Sequence, residues 1–224
     1  MPTTIFANSN DGVIFKNTGT HANSRDATTG TANSTGTFSI VGAAYQRGSK
    51  GGVFYIIYRS FFYFDTSGIT STVSAATLNL YGLTNGAGDV IAVKSTAFGG
   101  DGGTALANGD FNNVDFSTAY SGEVSTWSTS GYNEITLNST AKTDIENNDY
   151  FIVAVINYDL DFLDVDPGIN ASANNGFYFT DYTGTSRDPK LIVTTGYSNS
   201  VIGTNNIASV KGVEVGNISQ IIGV

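Results

Sequence analysis

Residues 53–64 read Val-Phe-Tyr-Ile-Ile-Tyr-Arg-Ser-Phe-Phe-Tyr-Phe, the most hydrophobic segment of the chain. In an extended strand successive side chains point to opposite faces. Phe54, Ile56, Phe62 and Phe64 then share one face, and Val53, Tyr55, Ile57 and Phe61 share the other. A strand that is apolar on both faces has to be covered on both sides. One cover is an opposing sheet. The other is a long loop or a neighbouring subunit.

The rest of the chain supports sheet rather than helix. Ala76, Leu78 and Leu80 alternate with Thr77, Asn79 and Tyr81. Further strands are predicted at 38–45, 90–95, 132–137, 150–158, 176–180 and 190–195. One short helix is predicted over 139–147, with Ser139 or Thr140 as its N-cap. The 27 glycines and abundant Thr, Ser and Asn separate these segments with turn-formers. About ten short strands spaced in this way predict an all-β fold, a jelly-roll-type antiparallel β-sandwich. Residues 37–196 form its body. Residues 1–36 read as a polar N-terminal arm or loop that packs on something else, with a short strand at Asp11-Gly12-Val13-Ile14 and a stretch, 17–36, almost wholly of Thr, Ala, Asn, Gly and Ser. The stretch 104–131 reads as loop-rich and contains the single Trp127.

Residues 197–224 form a tail that repeats itself. Asn206, Ile207, Val210, Gly212 and Val213 recur as Asn217, Ile218, Ile221, Gly223 and Val224. A repeat this short cannot bury its own apolar positions and needs the body or other subunits to cover them. Ile207, Val210, Val213, Ile218, Ile221 and Val224 are therefore the expected oligomerisation or attachment residues. A homotrimer with the tail at its axis is the expected assembly.

Charge excludes some partners. Only 13% of residues are charged and the net charge is −9. Without a basic cluster the chain suits neither nucleic acid nor an anionic membrane. Zero cysteines exclude a disulfide framework and thiolate metal sites. The N-terminal residues lack a basic segment followed by an apolar run, so no signal peptide is expected.

Four features carry candidate chemistry. Asp159, Asp161, Asp164 and Asp166 lie within eight residues and repel one another unless neutralised. Calcium takes oxygen ligands of this kind, but the spacing is not that of an EF-hand. A solvated rim with the acids turned outward, pinned by Leu160, Phe162, Leu163 and Val165, is the preferred reading. No other cofactor is expected. Arg59 sits inside an apolar strand and needs a carboxylate partner. Asp65 is too far along the strand, though suited to cap the turn with Thr66 and Ser67. Asp188 is a second candidate. His21, the single histidine, sits in the polar arm with no nucleophile-elbow pattern beside it. It reads as a surface residue, and no catalytic set is assigned. Trp127, Tyr178 and Tyr182, with Tyr120 and Tyr132, are candidates for a platform on which sugar rings stack, since each joins an apolar face to a polar tip.

Three segments in order resemble a known family: Tyr58-Arg59-Ser60-Phe61-Phe62-Tyr63-Phe64-Asp65-Thr66-Ser67-Gly68-Ile69, then Ser74-Ala75-Ala76-Thr77-Leu78-Asn79-Leu80-Tyr81, then Asp188-Pro189-Lys190-Leu191-Ile192-Val193-Thr194. The set resembles the DNRLRE-type β-sandwich, a carbohydrate-binding-module-like jelly roll, over roughly residues 10–195. With the repeated tail, it is similar to structural proteins of tailed bacteriophages. That resemblance implies a non-enzymatic protein at the virion surface, bound to other capsid or tail proteins. Capsid decoration is the first reading. A glycan-binding module of a tail fibre or adhesin, engaging host surface polysaccharide, is the second.

Overall fold

A computed structural model describes residues 2–47, 53–168 and 172–196, together with two short backbone strands in the tail, Ser209–Val210 and Val213–Glu214. The elements in chain order are β1 (Pro2–Phe6), β2 (Gly12–Thr18), α1 (His21–Arg25), β3 (Thr31–Asn33), β4 (Phe38–Arg47), β5 (Val53–Asp65), β6 (Val73–Gly86) and β7 (Val90–Ser95). They continue with β8 (Val114–Ala119), β9 (Tyr132–Thr136), α2 (Ser139–Asn147), β10 (Tyr150–Asn157), β11 (Ser172–Tyr178) and β12 (Lys190–Thr195). The fold is mostly antiparallel β-sheet, as the alternation predicts.

β5 is the hub. β2 runs along one edge, with Gly12 opposite Phe61 and Thr18 opposite Tyr55. Its other edge is shared end to end. β4 pairs with its first half and β10 with its second. β10 continues to β7 and β8, whereas β4 continues to β11. β6 joins a second set of strands to this one. Its later residues pair with β11, and its earlier residues lie between β12 and β9. β1 closes on β12.

From Ile56 onward both faces of β5 are covered, and by different things. Phe62 and Phe64 enter a core shared with Leu78 and Leu80 of β6, Ile135 of β9, Phe177 of β11 and Leu191 of β12. Ile57 and Phe61 enter a second core with Ile14, Ile91, Ile152 and Phe98, Leu106 and Phe111. The last three belong to the connection between β7 and β8, so the second cover is a loop of the same chain. Tyr63 lies against this loop at Gly102, where φ is +84° and a Cβ would sit 2.1 Å from the ring. Only glycine meets both demands there.

Three expectations are corrected. Residues 2–36 are not an arm or loop outside the body: β1, β2, β3 and α1 are integral to it, and the short strand expected at 11–14 falls in β2. Short strands with few apolar residues give little periodicity, and pairing with β5 and β12 supplies what the local pattern lacks. The loop-rich stretch also hides β8. The predicted helix is α2, but its cap is Asn138, whose side chain accepts from the Ala141 N–H. In the tail, Val210 pairs with Val213 and Ser209 with Glu214. Ile207, Ile218, Ile221 and Val224 lie outside the described residues, as do the side chains of Val210 and Val213.

Candidate functional site

A row of aromatic rings crosses the outer face of four neighbouring strands. Phe38 of β4 pairs with Tyr178 of β11. Phe177 pairs with Gly82 of β6, which puts Tyr178 beside Tyr81, and Tyr81 pairs with Tyr132 of β9. Alternation sets their direction. Leu80, Ile135, Phe177 and Phe179 point into the core, so Tyr81, Tyr132 and Tyr178 point out. The Tyr81 ring lies edge-on to Tyr132 at 5.3 Å and to Tyr178 at 6.0 Å between centroids. Tyr182, in the turn after β11, meets Tyr178 at 4.6 Å.

Two cations sit on this row. The Arg187 guanidinium lies 4.6 Å from the Tyr178 centroid, 4.9 Å from Tyr182 and 5.2 Å from Tyr81. Its Nη1 donates to the Tyr182 hydroxyl at 3.2 Å. Lys190 Nζ lies 3.7 Å from the Tyr132 centroid. The Tyr132 hydroxyl donates to the carbonyls of Ser186 and Asp188, at 3.1 Å each, and so holds the turn that carries Arg187. Burial, reinforced by Asp188 and Tyr81, pushes the Tyr132 phenol above its ordinary pKa. It stays a neutral donor.

The same turn is pinned from below by Asp11. Asp11 is buried, and its carboxylate accepts from the Thr180 hydroxyl at 2.7 Å and the Thr180 N–H at 3.2 Å. Burial pushes its carboxyl up to about 7; the Thr180 bonds oppose this, while Asp181 and Asp188 add to it. A folded-state pKa above the unfolded one contributes stability at low pH that is lost as pH rises through the folded value. The melting temperature should therefore fall by several degrees between about pH 4 and 7. Asp65 and Asp115, whose pKa values are lowered, act only at more acidic pH. Asp11→Asn should flatten this fall, and an equally steep fall in the variant would refute the assignment.

The other candidates part company. Trp127 does not join the row. It is buried in the core against Phe177, with its indole N–H donating to the Gly176 carbonyl at 3.2 Å. Tyr120 is also buried, stacked on Phe151 and bonded to Asp144. The four acids do not converge, and no group of three or more Asp, Glu or His suited to a metal occurs among the described residues. Asp159 is exposed. Asp161 is fully buried, with its two oxygens 2.8 and 2.7 Å from Nε and Nη2 of Arg59. Asp164 lies 3.4 Å from Arg25 Nε, and Asp166 accepts from the Gly168 N–H. The pinning also differs: Leu160 is buried, but Leu163 and Val165 are exposed.

Asp161 is thus the partner of Arg59, in place of Asp65 or Asp188. Arg59 also donates to the carbonyls of Phe111 and Arg25, at 2.7 Å each, and lies 4.1 Å from the Phe111 ring centroid. Asp65 caps the following turn through the Ser67 N–H and hydroxyl. His21 is buried rather than on the surface, and its Nε2–H donates to the Leu160 carbonyl at 2.7 Å. The charges of α1, β5 and the turn after β10 therefore serve packing, leaving the exposed tyrosine row as the candidate site. No protein-family model matches the chain, and no curated protein matches it.

Proposed function

We propose that the chain is a non-enzymatic module displayed on a bacteriophage particle, with a jelly-roll-type body that binds glycans through Tyr81, Tyr132, Tyr178 and Tyr182. The observation that carries this reading is the row itself. Adjacent strands lie about 4.8 Å apart, so the rings form an uninterrupted aromatic row, in which the Tyr81, Tyr132 and Tyr182 hydroxyls bond within the protein and ring surface and the Tyr178 tip face outward. A pyranose offers the complement: an apolar C–H face and hydroxyls around its edge. Tyrosine serves both at low entropy cost. The resemblance to the DNRLRE-type sandwich supports the same reading.

Capsid decoration is the second reading, favoured by the repeated tail. In that arrangement residues 197–224 hold a homotrimer on the particle and join it to other virion proteins. Light scattering should then show a trimer that dissociates when residues 200–224 are removed; a monomer in both forms would eliminate it.

The glycan reading is tested by titrating the protein against a panel of bacterial surface polysaccharides. At least one should bind, and Tyr178→Ala should abolish binding while leaving the melting temperature nearly unchanged, because the ring is only half-buried. A variant that binds as well as the parent would discard the platform.

A further inference from the structure

Resting on the glycan-platform reading, we infer that the tyrosine row recognises an acidic polysaccharide and that Arg187 is its carboxylate receptor. The chain is acidic overall, at −9. Even so, neither Arg187 nor Lys190 has a carboxylate within ion-pair distance among the described residues. Asp188, the residue next to Arg187, is buried and pairs with neither. Both cations instead lie over ring faces of the platform.

The ring contacts do more than neutralise. Three rings surround the Arg187 guanidinium, and the Tyr182 hydroxyl takes one of its N–H groups. A guanidinium carries five N–H donors in a rigid fork. Among the described residues no protein acceptor besides Tyr182 binds that fork. Its remaining donors match a carboxylate in the bidentate geometry that gives strong, oriented bonds. The pre-set side chain loses little further freedom on binding.

The placement also indicates a polymer rather than a single sugar. Arg187 serves the Tyr178–Tyr81 end of the row, and Lys190 serves the Tyr132 end. A chain of uronic acids laid along the row meets a cation at each end and a ring between. Lys190 acts as a point charge, and Arg187 reads the planar carboxylate.

The probe is polygalacturonate, compared with the same backbone fully methyl-esterified, which keeps the sugar rings and hides the charge. The full chain should bind the acid form at least about tenfold more tightly, as expected for a charge-assisted bidentate contact. This preference should shrink with added salt. Arg187→Gln should reduce the preference to about twofold or less while binding to the ester persists. Arg187→Lys should retain the salt dependence but lose most of the preference. Tyr178→Ala should lose both ligands, and circular dichroism should show each variant folded.

Equal binding of acid and ester by the parent, or an unchanged preference in Arg187→Gln, overturns the acidic-ligand inference and leaves the platform standing. Failure to bind either form, together with no binding across the polysaccharide panel, removes the platform itself. Poly-aspartate competing as well as polygalacturonate also overturns the inference, because the row would then be a receptor for acidic protein segments.

Discussion

Asp161→Ala should lower the unfolding free energy by about 3–5 kcal/mol, the range found when one member of a buried ion pair is removed. Arg59 and Asp161 are both fully buried, and the pair is bidentate. Deleting the carboxylate strands a guanidinium in the second core, where water cannot reach it. The contacts at risk extend beyond the pair. Arg59 holds the Arg25 carbonyl at the end of α1 and the Phe111 carbonyl in the β7–β8 connection. Arg25 in turn donates to the Asp161 carbonyl at 2.9 Å. Urea denaturation should show a lower midpoint with two-state form retained. The double change Arg59→Met with Asp161→Leu should recover much of the loss, since apolar replacement of a buried pair is often neutral. A cost below about 1 kcal/mol for Asp161→Ala would mean that water reaches the guanidinium.

Phe62→Ala should cost about 3–5 kcal/mol, a typical price for emptying a phenylalanine site in a core. Phe62 has no exposed surface, and its ring lies 5.9 Å from Phe177 and 5.7 Å from Phe179. Both rings come from the end of β11 and the residue just past it, distant in sequence from β5, and cannot collapse easily into the gap. Phe54, on the same face of β5 but 41% exposed, is the control and should cost under about 1 kcal/mol. Equal effects at the two positions would show that the first core does not close around Phe62.

β5 was readable because both of its faces are apolar, a pattern that leaves one arrangement open to it. The interior direction of Leu78 and Leu80, and with it the outward direction of Tyr81, followed from strict alternation. The partner of Arg59 was readable in kind but not in place. Distance along the strand ruled out Asp65, yet nothing local separates Asp161 from Asp159 or Asp164. That choice depends on the turn after β10, which brings Leu160 and Asp161 inward. The pairing of β10 with β5 would have been the signal, since it sets this turn near Arg59.

At the candidate site, Tyr178 and Tyr182 were singled out by residue type, and so was Trp127. Periodicity is silent in the stretch holding Trp127, so type alone could not tell a core indole from an exposed one. Arg187 was missed for the same reason. It lies in a short turn where no alternation assigns a side, and its meaning comes from three rings on two strands and a turn. His21 shows the complementary failure. Polar composition suggested exposure, whereas α1 packs on β2 and β5 and buries the ring.

The position of β12 has a mechanical consequence. The strand begins at Lys190, beside the tyrosine row, and ends at Thr195, with β1 bonded along one edge and β6 along the other. Its exit is fastened by the Gly196 N–H to the Thr72 carbonyl at 2.8 Å. A pull between the row and the segment after residue 196 therefore runs lengthwise along β12. The cross-strand bonds of both edges then bear the load together, in shear, instead of opening one after another from an end. A body tethered behind β12 and gripped in front of it is loaded along the direction in which a sheet yields least.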